Sequence, residues 1–227
     1  MAPKNAKAEE LPSVILKTLK KLYPQAETAL AYASAWELLV ATVLAAQCTD
    51  ARVNTITPQL FARWPGPAEL RKASLAELEN VIHSAGFFHN KAKNLLACAE
   101  AVCAKYDGKL PRSMAELVQL PGVARKTANV ILYGAWGINE GIAVDTHVKR
   151  ISFRLGLTRN TEPVRIERDL MALFPAQEWG ALNQRMVLFG RDTCQARTPS
   201  CESCALAHVC PRLEPPNAAR KDRQERI

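Results

Sequence analysis

Cys194, Cys201, Cys204 and Cys210 stand in the order C-x6-C-x2-C-x5-C, four thiols within 17 residues. Thiolates at that density are enough to enclose a metal centre. Structural zinc more often uses two close C-x2-C pairs, whereas wide and unequal spacings suit a loop wrapped round a bulkier iron–sulfur cube. The pattern favours a 4Fe-4S cluster, with zinc as the alternative. Metal at both ends of the segment from Gln195 to Ser200 would hold it rigid and present Arg197, and neighbouring Arg191, at fixed positions for nucleic acid. The alternative for each arginine is a solvated surface charge.

Two further residues stand out by position. Lys126 falls in the first turn of a helix that the sequence begins at Arg125, where the macrodipole is positive and a cation is disfavoured. A free helix start beside Gly122 is an anion site whose N–H groups can point at a phosphate, and a neutral amine held there is a nucleophile. Asp145, in the run A-V-D-T-H at 143–147, is placed to cap a helix through Leu155, and a carboxylate so fixed can stabilise developing positive charge. The plainer readings are a solvated lysine and a capping aspartate. His147 reads as a structural histidine.

The elements that must position these groups are helical. Ser113-Met114-Ala115-Glu116 has the spacing of a capping box and starts a helix near Met114. Pro121 ends it, Gly122 permits a tight reversal, and a second helix follows with Val123, Thr127, Val130, Ile131 and Gly134 as its expected buried face. Ser34–Glu37 and Ser74–Glu77 give two more capping boxes, and Thr49 with Asp50 can cap a helix carrying Val53, Ile56 and Leu60. Leu38–Ala46 is apolar almost throughout but too short to span a membrane, so it reads as a buried helix. Further helices are expected at 11–23, 90–106, 162–173 and 176–189, with residues 1–10 and about 214–227 as tails. Sustained period-two alternation is absent, so the fold class is all-α.

The formal net charge of +8 and pI near 9.2 point to a polyanionic partner met by a positive face. The chain is long enough for one large domain or two small ones without disulfides. Seven cysteines, an odd number, behind a polar start of mixed charge argue against a disulfide framework and for a cytoplasmic protein. Cys48, Cys98 and Cys103 sit on apolar helical positions and read as core.

L-P-G-V-A-R-K-T-A-N-V at 120–130, A-V-D-T-H at 143–147, A-Q-C-T-D at 46–50, G-F-F-H-N-K-A at 86–92 and the four-cysteine spacing together resemble endonuclease III, a helix-hairpin-helix DNA glycosylase family. The resemblance implies two helical domains with DNA in a cleft between them. One is a continuous six-helix domain at 29–139 with the hairpin at about 113–136. The other is discontinuous, 1–28 plus 140–227, and holds the 4Fe-4S cluster. Lys126 and Asp145 are implied to face each other across the cleft as the catalytic pair. The implied partner is double-stranded DNA with damaged bases or abasic sites, bound by a monomer with no membrane association.

The implied reaction is removal of oxidised pyrimidines such as thymine glycol, then strand cleavage by β-elimination through a lysine Schiff base. Hairpin residues Leu120, Gly122, Val123, Ala124 and Arg125 are candidate DNA contacts. Gln47 and one of Phe87 and Phe88 match positions that fill the gap left by an extruded nucleotide. Two departures are visible: Phe87 replaces the leucine common there, and Ala124 replaces a second glycine. A methyl group at 124 is expected to alter the turn, because only glycine takes positive φ freely, and to weaken the grip on phosphate. Adenine mismatch glycosylases share the cluster and aspartate but generally lack the lysine. The alternatives to the lyase are such an enzyme, a non-catalytic hairpin module, or a redox sensor on DNA.

Overall fold

In the computed structural model, which describes residues 6–214, the chain forms α1 (Ala6–Leu22), α2 (Ala35–Leu44), α3 (Asp50–Arg63), α4 (Pro67–Leu70), α5 (Leu75–Ile82), α6 (Phe88–Tyr106), α7 (Met114–Leu117), α8 (Arg125–Trp136), α9 (Thr146–Arg154), α10 (Pro163–Leu173) and α11 (Trp179–Asp192). A single 3-10 turn covers Ala176–Glu178, and among the described residues there is no strand, as the absence of period-two alternation requires. No helix among them is long and apolar enough to cross a membrane.

Local chemistry sets most helix starts. Ser34, Thr49, Ser74, Ser113 and Asp145 each accept the backbone N–H three residues on, which satisfies one orphan donor of α2, α3, α5, α7 and α9. Only Ser74 and Glu77 complete the reciprocal capping box. Glu37 instead accepts from Ala33 N–H, and Glu116 from the Ser113 hydroxyl. Where no capping residue marks the start, the boundaries move. Helix α6 begins at Phe88, earlier than expected, behind a left-handed Phe87. Helix α1 begins at Ala6, so residues 6–10 are helical and not a tail; residues 1–5 and 215–227 lie outside the described residues.

Two units divide the chain. The first, Thr28–Glu140, carries α2 to α8 around α2, which is buried from Trp36 to Leu44 apart from Glu37. Leu39, Leu60, Leu78, Leu95, Leu117 and Ile131 are fully buried in its core, and burial of each such side chain stabilises by about 1.5–3 kcal/mol. Helix α8 approaches α2 closely: a Cβ on Gly134 would lie 2.7 Å from Leu38 Cδ2. Its buried residues are Ala128, Asn129, Ile131 and Leu132, whereas Thr127, Val130 and Gly134 are only partly covered, so the face is rotated from the expected one. Cys98 is in this core, and burial pushes its thiol up to about 12.

The second unit takes residues 1–27 and 141–227, with α1 and α9 to α11 in its described part. Ile15 and Leu19 of α1 pack with Val148, Ile151, Leu182, Met186 and Phe189, and Leu206 of the cysteine loop is buried among them. Polar ties hold the chain-distant α1 in place. Glu178 accepts from Lys20 Nζ at 2.5 Å and from Arg185 Nη1 at 3.0 Å, and Arg185 Nε donates to Tyr23 O at 3.2 Å. The Tyr23 hydroxyl donates to Asp192, and burial together with that carboxylate pushes the phenol up to about 12.

The hydrogen bond from Lys20, reinforced by Arg185, holds the Glu178 carboxyl below its ordinary value of 4.5. A depressed carboxyl pKa contributes stability that is present above the unfolded value and lost as pH falls through the folded one. Glu178→Gln is therefore expected to cost about 1–3 kcal/mol in urea melts near neutral pH. The gap to wild type should close well below pH 4.5, and an equal loss at both pH values would rule out the charged tie as its source.

Candidate active site and cysteine loop

The stretch between α7 and α8 makes a tight reversal. Val123 N–H donates to Leu120 O at 3.1 Å, and Gly122 takes φ +77°. A Cβ at Gly122 would lie 2.9 Å from Asn94 Cβ, so both the backbone conformation and the space require glycine there. Leu120 and Val123 are buried. Their side chains belong to the core, so a DNA contact at either position falls to the backbone. Gly122, Ala124 and Lys126 are exposed and Arg125 is half-buried.

Ala124 is the N-cap of α8 at φ −82°, ψ 165°, and no side chain caps this helix. The extended conformation suits alanine, so the expected turn distortion at 124 does not arise; the position that needs positive φ is Gly122. Because the cap is a methyl group, the orphan N–H groups of the first turn of α8 take no capping side chain, and Lys126 projects from that same turn.

Asp145 ends a buried strip, Ile142-Ala143-Val144, that Asn183 pins by donating Nδ2 to Ala143 O at 2.6 Å. Its Oδ1 accepts Val148 N–H at 2.8 Å, which fixes the half-buried carboxylate at the start of α9. One turn on, Arg150 donates Nε and Nη2 to Cys194 O at 3.1 and 3.0 Å and Nη2 to Gly190 O at 3.1 Å, with His147 Nδ1 3.1 Å from the same nitrogen. Burial, with the charges of Arg150 and Arg191, pushes His147 below its ordinary value against the opposing pull of Asp145. It is a structural histidine in this arrangement.

The cysteine loop closes through Ser200 N–H to Thr193 O at 2.9 Å. Cys194, Cys201, Cys204 and Cys210 all line one open pocket, with Arg154 and Phe189 beside them. Arg154 is nearly buried and donates to Gln195 O at 2.7 Å, Ala196 O at 3.0 Å, Cys194 Sγ at 3.7 Å and Glu214 Oε1 at 3.1 Å. Glu214 thus has a fixed role despite its expected place in a tail. Burial, and the nearness of Cys194, Cys204 and Cys201, push the Cys210 thiol up. Four thiolates so close together need positive charge among them. Among the described residues no three such ligands converge on a point that would hold a single ion. Four cysteine sulfurs lining one pocket are a donor set that a metal centre would take.

Gln47 and Phe87 are both exposed, Phe87 by 66%, and both hold left-handed backbone at φ 54° and φ 59°. Phe88 instead packs partly against the core and lies against His89, ring centroids 4.0 Å apart. Of the two rings, Phe87 is the one presented to solvent. Arg191 and Arg197 are exposed on α11 and the cysteine loop.

Gln47, the two phenylalanines and the hairpin therefore share the first unit, while Asp145, the arginines and the cysteines share the second. Nothing local in the sequence singles out Arg150 and Arg154; the available signal is their four-residue spacing along the helix that Asp145 caps.

A hairpin of this geometry, a capping aspartate and a four-thiol loop on an all-α scaffold define a helix-hairpin-helix DNA repair protein. The pattern of the HhH-GPD superfamily base excision DNA repair protein matches residues 40–176. Within that superfamily the chain belongs to the endonuclease III family: it is 52% identical to the endonuclease III of Synechocystis sp. over 93% of this chain and 94% of the relative. It is also 42% identical to that of Bacillus subtilis, over 86% and 89% of the two chains. A solved structure of a trapped endonuclease III–DNA covalent intermediate superposes with a TM-score of 0.86 at 42% identity, covering 90% of this chain and 96% of that one. The protein is accordingly a DNA glycosylase and AP lyase of base excision repair.

The two hairpin positions should respond oppositely to exchange. Gly122→Ala is expected to lose about 1–3 kcal/mol in urea melts from strain and crowding against Asn94. Ala124→Gly should stay within about 0.5 kcal/mol of wild type, since glycine is an acceptable N-cap and only the unfolded chain gains freedom. Equal effects at the two positions would contradict the assignment of the left-handed residue.

Proposed function

We propose that this chain excises oxidised pyrimidines of the thymine glycol type from duplex DNA and cleaves the abasic product by β-elimination through a Schiff base on Lys126. The observation that carries the reading is the exposed Lys126 in the first turn of a helix whose N-terminus no side chain caps. There an amine and the N-terminal end of a helix lie together, the helix end suited to a phosphate and the amine to an electrophilic sugar carbon.

The chemistry follows from residue types. A base inside a duplex is inaccessible at its glycosidic carbon, so the nucleotide must rotate out. As the base departs with the bonding pair, positive charge grows on the sugar, and the Asp145 carboxylate held by Val148 N–H stabilises it. The Lys126 nitrogen bonds to C1′, and opening of the sugar leaves an iminium. That cation acidifies C2′; loss of its proton expels the 3′ phosphate and leaves the C2′–C3′ double bond. Gln47 and Phe87 occupy the vacated place in the stack, the amide toward the opposite base and the ring against its neighbours.

Cys194, Cys201, Cys204 and Cys210 would hold the 4Fe-4S cluster that the family resemblance implies, and the pocket they line supports that assignment. When bound, the cluster supplies a cross-link, with no redox step needed, that keeps Arg191 and Arg197 at fixed positions for DNA phosphates. Solved complexes of endonuclease III with DNA support DNA as the partner.

Borohydride trapping on duplex DNA with a thymine glycol or abasic site is expected to give a covalent adduct with wild type and none with Lys126→Gln; absence of the wild-type adduct, or an adduct retained by Lys126→Gln, removes the Schiff base on Lys126. Asp145→Asn should change stability by less than about 1 kcal/mol, because asparagine caps as well as aspartate. Its excision rate should nonetheless fall by about a hundredfold or more with DNA binding kept. Wild-type excision would take Asp145 out of the mechanism. A panel of oxidised pyrimidines and mismatched adenines tests the substrate class, adenine excision being the result that overturns it.

A further inference from the structure

Gln47 and Phe87 are strained in a way their side chains do not explain. Left-handed backbone is common for Gly, Asn and Asp, but for other residues it costs of order 1–3 kcal/mol and persists only where the surroundings enforce it. The two turns abut, since the position a Cβ would take on Gly86 is 3.8 Å from Gln47 O. What joins them is Lys91, on the first turn of α6. Its side chain is only 6% exposed, and its Nζ donates to the carbonyl of Leu44, the last residue of α2, at 2.8 Å. The neighbouring helix-end carbonyls Ala41 O and Val43 O take backbone N–H groups from Ala45 and Ala46. The Leu44 carbonyl takes the ammonium instead, a cation at the negative end of a helix dipole. The main chain of Lys91 makes the second tie, donating its N–H to Phe87 O at 3.3 Å.

One residue thus holds the carbonyl three positions before Gln47 and the carbonyl of Phe87 itself. We propose that Lys91 is a positioning residue for duplex recognition: its buried ammonium fixes the Gln47 turn against the Phe87 turn, so that amide and ring enter the stack at the same nucleotide step. This inference rests on the gap-filling reading of Gln47 and Phe87. A cap that only stabilised the fold would affect every substrate alike, whereas a clamp on these two turns matters only where there is a stack to enter and an opposite base to meet.

The test compares substrates and backgrounds in the full-length protein with its cluster in place. Lys91→Met is expected to lose about tenfold to a hundredfold in kcat/KM on duplex thymine glycol DNA, the scale of a small misplacement. Borohydride trapping on a single-stranded abasic oligonucleotide, where no stack needs filling, should stay near wild type. In a Gln47→Ala, Phe87→Ala background the Lys91→Met change should add no further duplex loss, because it acts through those side chains. If the methionine variant does not fold, Lys91→Gln, whose shorter neutral side chain cannot bring an N–H to Leu44 O without moving the turn, carries the same comparison. Equal losses on both substrates, an additive loss in the double background, or unchanged duplex excision each overturn the inference. Full duplex excision by the Gln47→Ala, Phe87→Ala variant itself overturns the gap-filling reading and this inference with it, whereas a loss there with an additive Lys91 effect overturns the inference alone.

Discussion

Helix α2 is buried on nearly every face, and its terminal carbonyls have little water to turn to. A buried carbonyl without a partner costs about 1–3 kcal/mol, so the end of α2 has to be closed by protein. Backbone turns at Ala45 and Ala46 close two of its carbonyls, and Lys91 closes the carbonyl of Leu44. The chain that leaves α2 takes a left-handed turn at Gln47, and the chain that enters α6 takes another at Phe87. Helix α8, which carries Lys126, packs on this same helix, close enough that Gly134 admits no side chain against Leu38. Three separate features of the candidate DNA surface therefore depend on one buried helix.

The second unit shows the same logic with different chemistry. Its fixed points are arginines on α9: Arg150 and Arg154 both turn toward the cysteine loop and satisfy carbonyls at 190, 194, 195 and 196. The helix that Asp145 caps is thus the helix that anchors the loop. Buried guanidinium groups are acceptable here because each finds several acceptors, and the planar fork matches carbonyls at two points where a lysine ammonium would meet one. Fixing the Asp145 carboxylate through its own helix cap leaves it little freedom to reorganise, which suits the charge-stabilising role we propose for it.

Two features of the hairpin look similar in the sequence and differ in kind. Gly122 and Ala124 flank a buried Val123, and a departure from glycine at 124 suggests a strained or weakened turn. The backbone puts the left-handed residue at 122 and leaves 124 extended. Alanine at the cap then has a use of its own: it supplies no side-chain oxygen to the first turn of α8, so the cap itself does not compete with a phosphate there.

What could be read directly from the residues was local. Ser34, Thr49, Ser74, Ser113 and Asp145 announce their helices because a cap acts over three residues, and the cysteine spacing and the pairing of residue types at Lys126 and Asp145 are likewise visible without a fold. The α-helical class followed from periodicity for the same reason. The start of α6, the choice of Phe87 over Phe88 as the exposed ring, the burial of Leu120 and Val123, and the roles of Lys91 and Arg154 were decided only by tertiary structure. Each depends on a partner far away in the chain, 47 residues for Lys91 and 40 to 60 for Arg154. A buried hydrogen bond of that kind is made when two elements pack, and neither end of it carries a local signal.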